Sequence, residues 1–333
     1  MIKLDHLNCL VTGGAGFIGS HLVDQLLARG CMVRVLDNLS NGKLANLSSH
    51  FADPNFEFNQ GSITDPCDVD QAMQDIQVVF HLACLGVRHS IAHPYENQRV
   101  NAEGTLLLLA AASRAKVSRF IHCSSSEVYG SAQYVPMAET HPTQPCTVYG
   151  ASKLAGEAYA RAYYLTYGLP TVIIRPFNTY GPRSHHEGDA GEMIPKSIVR
   201  ALNGKEVLVF GGGLQTRDFT FVEDTAAGLV AAAECEAMTG LTLNIGCNFE
   251  ISVKELAEKL VAMVGNHAAT VRFTSARPGD VSRLHADPSA FMALCGWRPT
   301  TTFEAGLEKT IACFRAHPLG LAGLLQSEAG RNW

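Results

Sequence analysis

The sequence predicts an α/β fold built on a doubly wound parallel sheet. Three observations carry this expectation. Short apolar runs recur along the first half of the chain, amphipathic stretches with helical spacing separate them, and the first run ends in a glycine-rich turn that opens directly into a helix. Residues 7–12, LNCLVT, read as the first strand; GGAGFIG is the turn, and SHLVDQLLARG is an amphipathic helix closed by Gly30. CMVRVLDN (31–38) reads as a second strand with an acidic residue at its end. VVFHLAC (78–84) and RFIHCSSS (119–126) read as further buried strands, with a helical stretch at about 97–114 between them. PTVIIRPFNTYG (170–181) reads as a strand running into a loop.

Past residue 182 the pattern loosens. SHHEGDAGE is a polar loop, IPKSIVRALNG a short helix, and LVFGGGLQTRDFTFV a pair of short strands around a glycine cluster. Strand LTLNIG and helix VKELAEKLVAMVG precede an RPGD segment. The expected division is a Rossmann-type dinucleotide-binding domain over 1–182, with later segments returning to it, and a smaller lobe over 183–333.

Composition narrows the function. A chain of 333 residues with 47% hydrophobic and 17% charged residues is an ordinary globular enzyme, and a net charge of −5 gives no broad attraction to nucleic acid or anionic membrane. The ten cysteines are scattered with no CxxC pair, so neither a zinc site nor a disulfide framework is expected, and a reducing cytoplasm is the expected home. Met1 is followed by the glycine turn too soon for a signal peptide, and no apolar run approaches the roughly 18 residues of a membrane span.

Gly13, Gly16 and Gly19 stand between a strand and a helix, the context in which glycines permit a tight turn and close approach to a pyrophosphate. The helix N-terminus then offers backbone N–H groups to the phosphates. Asp37 closes the second strand, where a carboxylate accepts the adenosine ribose hydroxyls and repels a 2′-phosphate, so NAD is expected rather than NADP. Downstream, Tyr149 and Lys153 are one helical turn apart and Ser125 precedes them. Free tyrosine has a pKa of about 10, and bringing it to neutrality takes about 4 kcal/mol of differential stabilisation. A lysine cation and an oxidised nicotinamide are the two positive charges that would supply it. The trio reads as acid/base chemistry coupled to hydride transfer.

These motifs together resemble the extended short-chain dehydrogenase/reductases, in particular the NAD-dependent nucleotide-sugar epimerases and dehydratases. The resemblance rests on TGGAGFIGSHL (12–22), LDN (36–38), HLAC (81–84), VNAEGT (100–105), SSSEVYG (124–130), YGASK (149–153), RPFNTYGPR (175–183), TRDF (216–219) and RPGD (277–280). It implies that Gly13, Gly16, Phe17, Ile18 and Gly19 hold the pyrophosphate of NAD, Asp37 and Asn38 the ribose, and Ile63 the adenine, with Ala83 and Asn101 along the cofactor. Lys153 is implied to reach the nicotinamide ribose and bias Tyr149 toward phenolate, and Ser125 to bond the sugar 4-hydroxyl. Asn178, Arg217, Arg277 and Asp280 match positions that hold the nucleotide diphosphate and its ribose, in keeping with the fit between guanidinium forks and phosphate. Family members dimerise through the helix near 101–114 and the one carrying Leu154, Ala158, Tyr159 and Ala162, so a homodimer with a four-helix interface is implied. Two departures stand out: Ser62 replaces the acid that usually contacts adenine, and Cys84 replaces an alanine close to the cofactor path.

The resemblance leaves the reaction open. Oxidation at the sugar C4 is common to 4-epimerases, 4,6-dehydratases and uronate decarboxylases. Glu127 in SSSEVYG resembles the dehydratase and decarboxylase form and is a candidate base at C5, while Ser126 stands where one dehydratase subgroup keeps an aspartate acid. RPGD and VSRLHAD resemble the epimerase branch. The 4,6-dehydratase is the leading expectation and the 4-epimerase the alternative. A non-catalytic NAD sensor or a reductase of a non-nucleotide substrate fits less well, because Tyr149, Lys153, Arg217 and Arg277 are all present. His185, His186, Glu187 and Asp189 crowd one loop, but their spacing is poor for a metal, and a solvated loop or substrate lid is expected there.

Overall fold

The structure is a computed structural model that describes residues 3–188, 190–277 and 279–328. Six strands alternate with helices through the first half: β1 (Asn8–Thr12), β2 (Met32–Asp37), β3 (Phe56–Gln60), β4 (Val78–His81), β5 (Arg119–Cys123) and β6 (Thr171–Pro176). Between them lie α1 (Phe17–Ala28), α2 (Pro66–Ala72), α3 (Val87–Ala92), α4 (Pro94–Gln98), α5 (Gly104–Ala115) and α6 (Val148–Tyr167). The second half contributes β7 (Asn178–Tyr180), α7 (Met193–Leu202), β8 (Val207–Phe210), β9 (Thr216–Arg217), β10 (Phe219–Phe221), α8 (Val222–Glu234) and β11 (Thr242–Ile245). It ends with β12 (Ile251–Ser252), α9 (Val253–Val264), β13 (Val271–Thr274), β14 (Arg283–Leu284), α10 (Ser289–Cys295), α11 (Phe303–Arg315) and α12 (Gly320–Ser327). No helix among the described residues is long and apolar enough to cross a membrane.

The main sheet has the order β11-β6-β5-β4-β1-β2-β3, with every neighbouring pair parallel. Parallel strands need cover on both faces. β1 alternates accordingly: Cys9 and Val11 pack in the cluster that includes Leu22 and Leu26 of α1 and Leu229 of α8, while Leu10 faces Val69, Leu108 and Ala160 of α2, α5 and α6. Each such apolar side chain contributes roughly 1.5–3 kcal/mol on full burial.

The structure departs from the sequence expectation in specific places. β3 was not anticipated, because FEFNQ lies at the sheet edge, is only half buried, and lacks a continuous apolar run. The strands expected over 78–84 and 119–126 end at His81 and Cys123; the residues after them leave the sheet to floor a cleft. The helix expected from about 97 starts at Pro94 and passes through a π-helical turn, Arg99–Glu103, before α5. The segment LVFGGGLQTRDFTFV forms three strands rather than two, and LTLNIG returns as the outermost strand of the main sheet beside β6.

A second core lies beyond the sheet, where Ile194 and Ile198 of α7, Val207 and Val209 of β8, Leu256 and Leu260 of α9 and Leu307 and Ile311 of α11 are buried together. α9 starts with a full capping box between Ser252 and Glu255. A buried polar network ties the sheet to the turn that carries the candidate catalytic serine. Arg175 of β6 grips Glu157 of α6 with two bonds, 2.8 and 2.6 Å, and donates to the Tyr129 hydroxyl at 2.8 Å. Ser124 donates to the same Glu157 at 2.5 Å, and Tyr129 donates to Asn244 of β11 at 2.7 Å. Both members of the ion pair are over nine-tenths buried. Arg175→Ala would leave the Glu157 carboxylate uncompensated and is expected to lower stability by about 3–5 kcal/mol in urea denaturation; a loss below about 1 kcal/mol would mean that the network is not a structural tie.

Candidate active site

Strand order reverses at β1, whose two neighbours β2 and β4 lead the chain to opposite sides. A crevice opens at the carboxyl ends of the strands at such a point. Here it holds a cavity of about 480 Å³, lined by residues that follow β1, β2, β4, β5 and β6 and, on its far wall, by α7, β8 and β9.

The glycine turn fits a dinucleotide phosphate by exclusion. Gly13 has φ +72°, and a Cβ there would lie 2.7 Å from the Ala83 backbone nitrogen. A Cβ on Gly16 would stand 3.1 Å from the Gly13 carbonyl oxygen. α1 has no side-chain cap, and Phe17, Ile18 and Gly19 at its first turn border the cavity, so this end is free to receive an anion. Beneath the turn, Thr12 and His81 meet at 2.8 Å and His81 meets Thr105 at 2.8 Å, pinning β1 to β4 and α5. The Asp37 carboxylate accepts from the Ala15 and Leu39 N–H groups at 3.0 and 2.8 Å, which locks its position at the cleft. Burial raises its pKa, and those two bonds oppose the rise. Asn38, Ile63 and Ala83 also line the cavity. Ser62 lies there too, its hydroxyl engaged with Thr64 at 2.9 Å.

Asn101 lies just behind the cavity lining, next to Val100, which borders it. It is 1% exposed, and its amide is used up on the backbone of Leu85, at 2.8 and 2.9 Å, and on Asn97 and Ser152. It sits in the π-helical turn and braces the loop at Leu85 that lines the cavity.

Ser125, Ser126, Glu127, Tyr149 and Lys153 come together on the opposite wall. Ser125 caps a short helical turn by accepting from the Glu127 N–H at 3.2 Å. Thr147 caps α6 by accepting from Gly150 at 3.1 Å. The absence of a side chain on Gly150 lets α6 press against this turn, since a Cβ would lie 2.6 Å from the Glu127 carbonyl oxygen. Lys153 is 2% exposed and donates to the Cys123 carbonyl at 2.6 Å. Burial pushes the Tyr149 phenol well above its ordinary range, Cys84 adds to this, and the Ser125 hydroxyl opposes it. The sequence analysis assigns the bias toward phenolate to Lys153 together with an oxidised nicotinamide; without that second charge, burial is the largest influence on Tyr149. Burial, assisted by Lys153, holds His81 at about 3, so the histidine beneath the site stays neutral.

Glu127 is also raised by burial, with Arg217, Arg277 and Arg88 opposing and Asp280 reinforcing. Asp280 Oδ1 accepts from Arg217 at 2.7 Å and from Arg277 at 2.8 Å, so one carboxylate aims two guanidinium groups at the cleft. Asn178 borders the same wall, and its Oδ1 is buried with no hydrogen-bond partner among the described residues. An acceptor left open in a charged cleft fits a polar ligand.

The loop expected to be solvated or to serve as a substrate lid is partly folded in. His186 is 2% exposed, packs on Phe314, and bonds Ser327 at 2.9 Å and Glu187 at 2.8 Å. Glu187 in turn pairs with Lys43 across the cleft mouth. The C-terminal helices cover the loop, which a local reading of its polar residues does not reveal; Asp189 lies outside the described residues. Six charged residues in the cleft have no sequence signal: Arg88, Glu96, Glu192, Lys196, Arg200 and Glu328. They belong to no phosphate or acid/base motif, and burial pushes Glu192 up to about 8.

Comparison with known proteins places this geometry among nucleotide-sugar enzymes. A family model described as GDP-mannose 4,6 dehydratase matches residues 10–310. A UDP-glucose 4-epimerase from Mycolicibacterium smegmatis is 37% identical over 93% of this chain and 99% of its own length. A dTDP-glucose 4,6-dehydratase from Actinoplanes sp. is also 37% identical, over 93% of this chain and 98% of its own. The dTDP-glucose 4,6-dehydratase from Streptomyces venezuelae, solved with NAD bound, superposes with a TM-score of 0.88 at 34% identity, covering 93% of this chain and 97% of that one.

Gly13→Ala places a side chain in a left-handed backbone position and against Ala83, at a local cost of at least about 1–2 kcal/mol. Titration calorimetry should find NAD affinity reduced more than about tenfold; unchanged affinity would show that the turn does not hold the pyrophosphate.

Proposed function

This chain belongs to the GDP-mannose 4,6-dehydratase family of NAD-dependent nucleotide-sugar epimerases and dehydratases, and from that membership we propose that it is a nucleotide-sugar 4,6-dehydratase. The observation that carries the choice is Glu127, a carboxylate facing the cleft beside Ser125 and Tyr149 with its proton affinity raised by burial. A 4-epimerase needs no base at C5, whereas elimination across C5 and C6 does.

NAD, when bound, supplies the hydride acceptor for C4 oxidation and the hydride that completes the reaction. Residues 1–182 carry most of its site, and 183–333 most of the nucleotide-sugar site. Tyr149 takes the proton of the sugar 4-hydroxyl while Ser125 holds that oxygen. Lys153, anchored on Cys123, keeps a fixed positive charge one helical turn from the phenol. A 4-ketone acidifies the neighbouring C5–H. Glu127 takes that proton, the C5–H electron pair forms the C5–C6 double bond, and the C6 hydroxyl leaves as water carrying the proton from Glu127. One carboxyl then serves as base and acid, so no aspartate is required at Ser126. Arg217 and Arg277, aimed by Asp280, grip the diphosphate, with Asn178 beside them. The exposed Leu106 of α5 and Ala158 and Ala162 of α6 support a homodimer through these helices.

Product analysis with a panel of GDP-, UDP- and dTDP-sugars tests the reaction: loss of one water is expected, and a product of unchanged mass with inverted C4 would make the protein an epimerase. Tyr149→Phe should lower C4 oxidation by about 10²–10⁴-fold with little change in nucleotide-sugar binding; full activity would remove its role. Glu127→Gln should abolish water loss and retain C4 oxidation, seen as transient NADH absorbance. Because Glu127 works as a base only when ionised and its pKa is raised, water loss should fall as pH falls through a value above the ordinary carboxylate range. An acid limb unchanged in Glu127→Asp and other active Glu127 variants would assign the titration to a different group.

A further inference from the structure

Two charged side chains of the cleft are used neither by the fold nor by the proposed reaction. Arg88, in the first turn of α3, and Glu192, which precedes α7, both line the cavity. Neither side chain makes a hydrogen bond or an ion pair among the described residues, and Glu192 occupies the N-cap of α7 without capping it. By contrast, Arg217 and Arg277 are bonded to Asp280, Lys153 to the Cys123 carbonyl and Arg200 to Glu328. Burial lowers the Arg88 guanidinium to about 10, so it is charged at neutral pH. Burial pushes Glu192 up to about 8, so its carboxyl is mostly protonated there. A desolvated polar group without a partner is costly, and a ligand that supplies one recovers that cost.

The charges felt at Arg88 place it along the cleft. They are Arg277 and Asp280 from the diphosphate end, Glu127 from the catalytic wall and Glu192 from the start of α7. Glu192 in turn feels Arg88 and Glu187. The pair therefore lies beside the stretch between the arginines and Glu127. With a nucleotide sugar in the cleft, C1 carries the diphosphate, C4 faces Ser125 and Tyr149, and C5 and C6 face Glu127. The hydroxyls left are those at C2 and C3. A guanidinium fork can donate to two neighbouring oxygens, and a protonated carboxyl can donate to one hydroxyl while accepting from another. We propose that Arg88 and Glu192 hold the C2–C3 diol of the hexose and make the site specific for a sugar that keeps both hydroxyls. This rests on the nucleotide-sugar reading of the cleft and is independent of whether C4 oxidation leads to dehydration or epimerisation.

Titration calorimetry on the full chain with NAD present tests it, using GDP-mannose, UDP-glucose and dTDP-glucose, their 2-deoxy and 3-deoxy counterparts, and GDP, UDP and dTDP themselves. A nucleotide sugar that binds the wild type should lose about tenfold in affinity when either hydroxyl is removed. Glu192→Ala should bind the parent sugar about tenfold more weakly, no better than its deoxy analogues, and leave binding of the bare nucleoside diphosphate within about twofold. Glu192→Gln keeps a donor and an acceptor and should retain most of the affinity. Arg88→Lys keeps the charge near the diphosphate but loses the fork, and should show the same selective loss as Glu192→Ala. Equal binding of parent and deoxy sugars by the wild type would overturn the assignment. So would variants that weaken the bare nucleoside diphosphate as much as the nucleotide sugar. Product analysis separates this from the choice of reaction: deoxy discrimination with a product of unchanged mass keeps the clamp and removes the dehydratase reading, and water loss without discrimination does the reverse. If no nucleotide sugar binds, both fail together.

Discussion

Reversal of the strand order at β1 is the constraint on which the rest of the molecule depends. A parallel sheet must be covered on both faces, and covering both from one chain requires the connections to switch sides once. At that switch Gly13 approaches Ala83 so closely that no side chain fits, and Thr12, His81 and Thr105 pin the layers beneath. The cleft is the space the switch leaves, which is why its residues follow the carboxyl ends of β1, β2, β4, β5 and β6 although they are far apart in sequence.

Within that space, burial and charge are set against each other. Tyr149 and Glu127 are both pushed toward their protonated forms by desolvation. The compensating positive charges are placed unequally: Arg217 and Arg277 act on Glu127, whereas Lys153 is committed to the Cys123 carbonyl. The chain alone therefore prepares a carboxyl poised to titrate above its ordinary range and a phenol that stays neutral. A cationic ring beside Tyr149 would shift the second balance toward the phenolate.

The far end of the cleft is assembled by a different route. Lys43, Glu187, His186 and Ser327 form a bonded series from the cofactor loop to the C-terminal helix, and Glu328 continues it to Lys196 and Arg200. The Lys43–Glu187, His186–Ser327 and Glu328–Lys196/Arg200 links join segments separated by many residues, and none belongs to a recurring motif. The series puts an acid where α7 alone would present two cations.

Much of the site was legible from the sequence because its chemistry is local. Glycines are required where backbone must approach backbone, a carboxylate ends β2 because it follows the apolar run, and Tyr149 and Lys153 share a face because a helix turns every few residues. The sheet class followed from alternating runs for the same reason, while β3 escaped because an edge strand need not be apolar. That Asn101 also braces the backbone at Leu85 is not legible in its motif, because the bonds join residues sixteen positions apart. The sequence by itself determined the fold class, the glycine turn after β1 and the candidate catalytic trio. Tertiary structure alone decided that Ser184 and His186 are buried, that Glu127 is desolvated beside two arginines, and that Glu328 enters the cleft, because burial and long-range pairing depend on which distant segments cover a residue, and no local pattern encodes that.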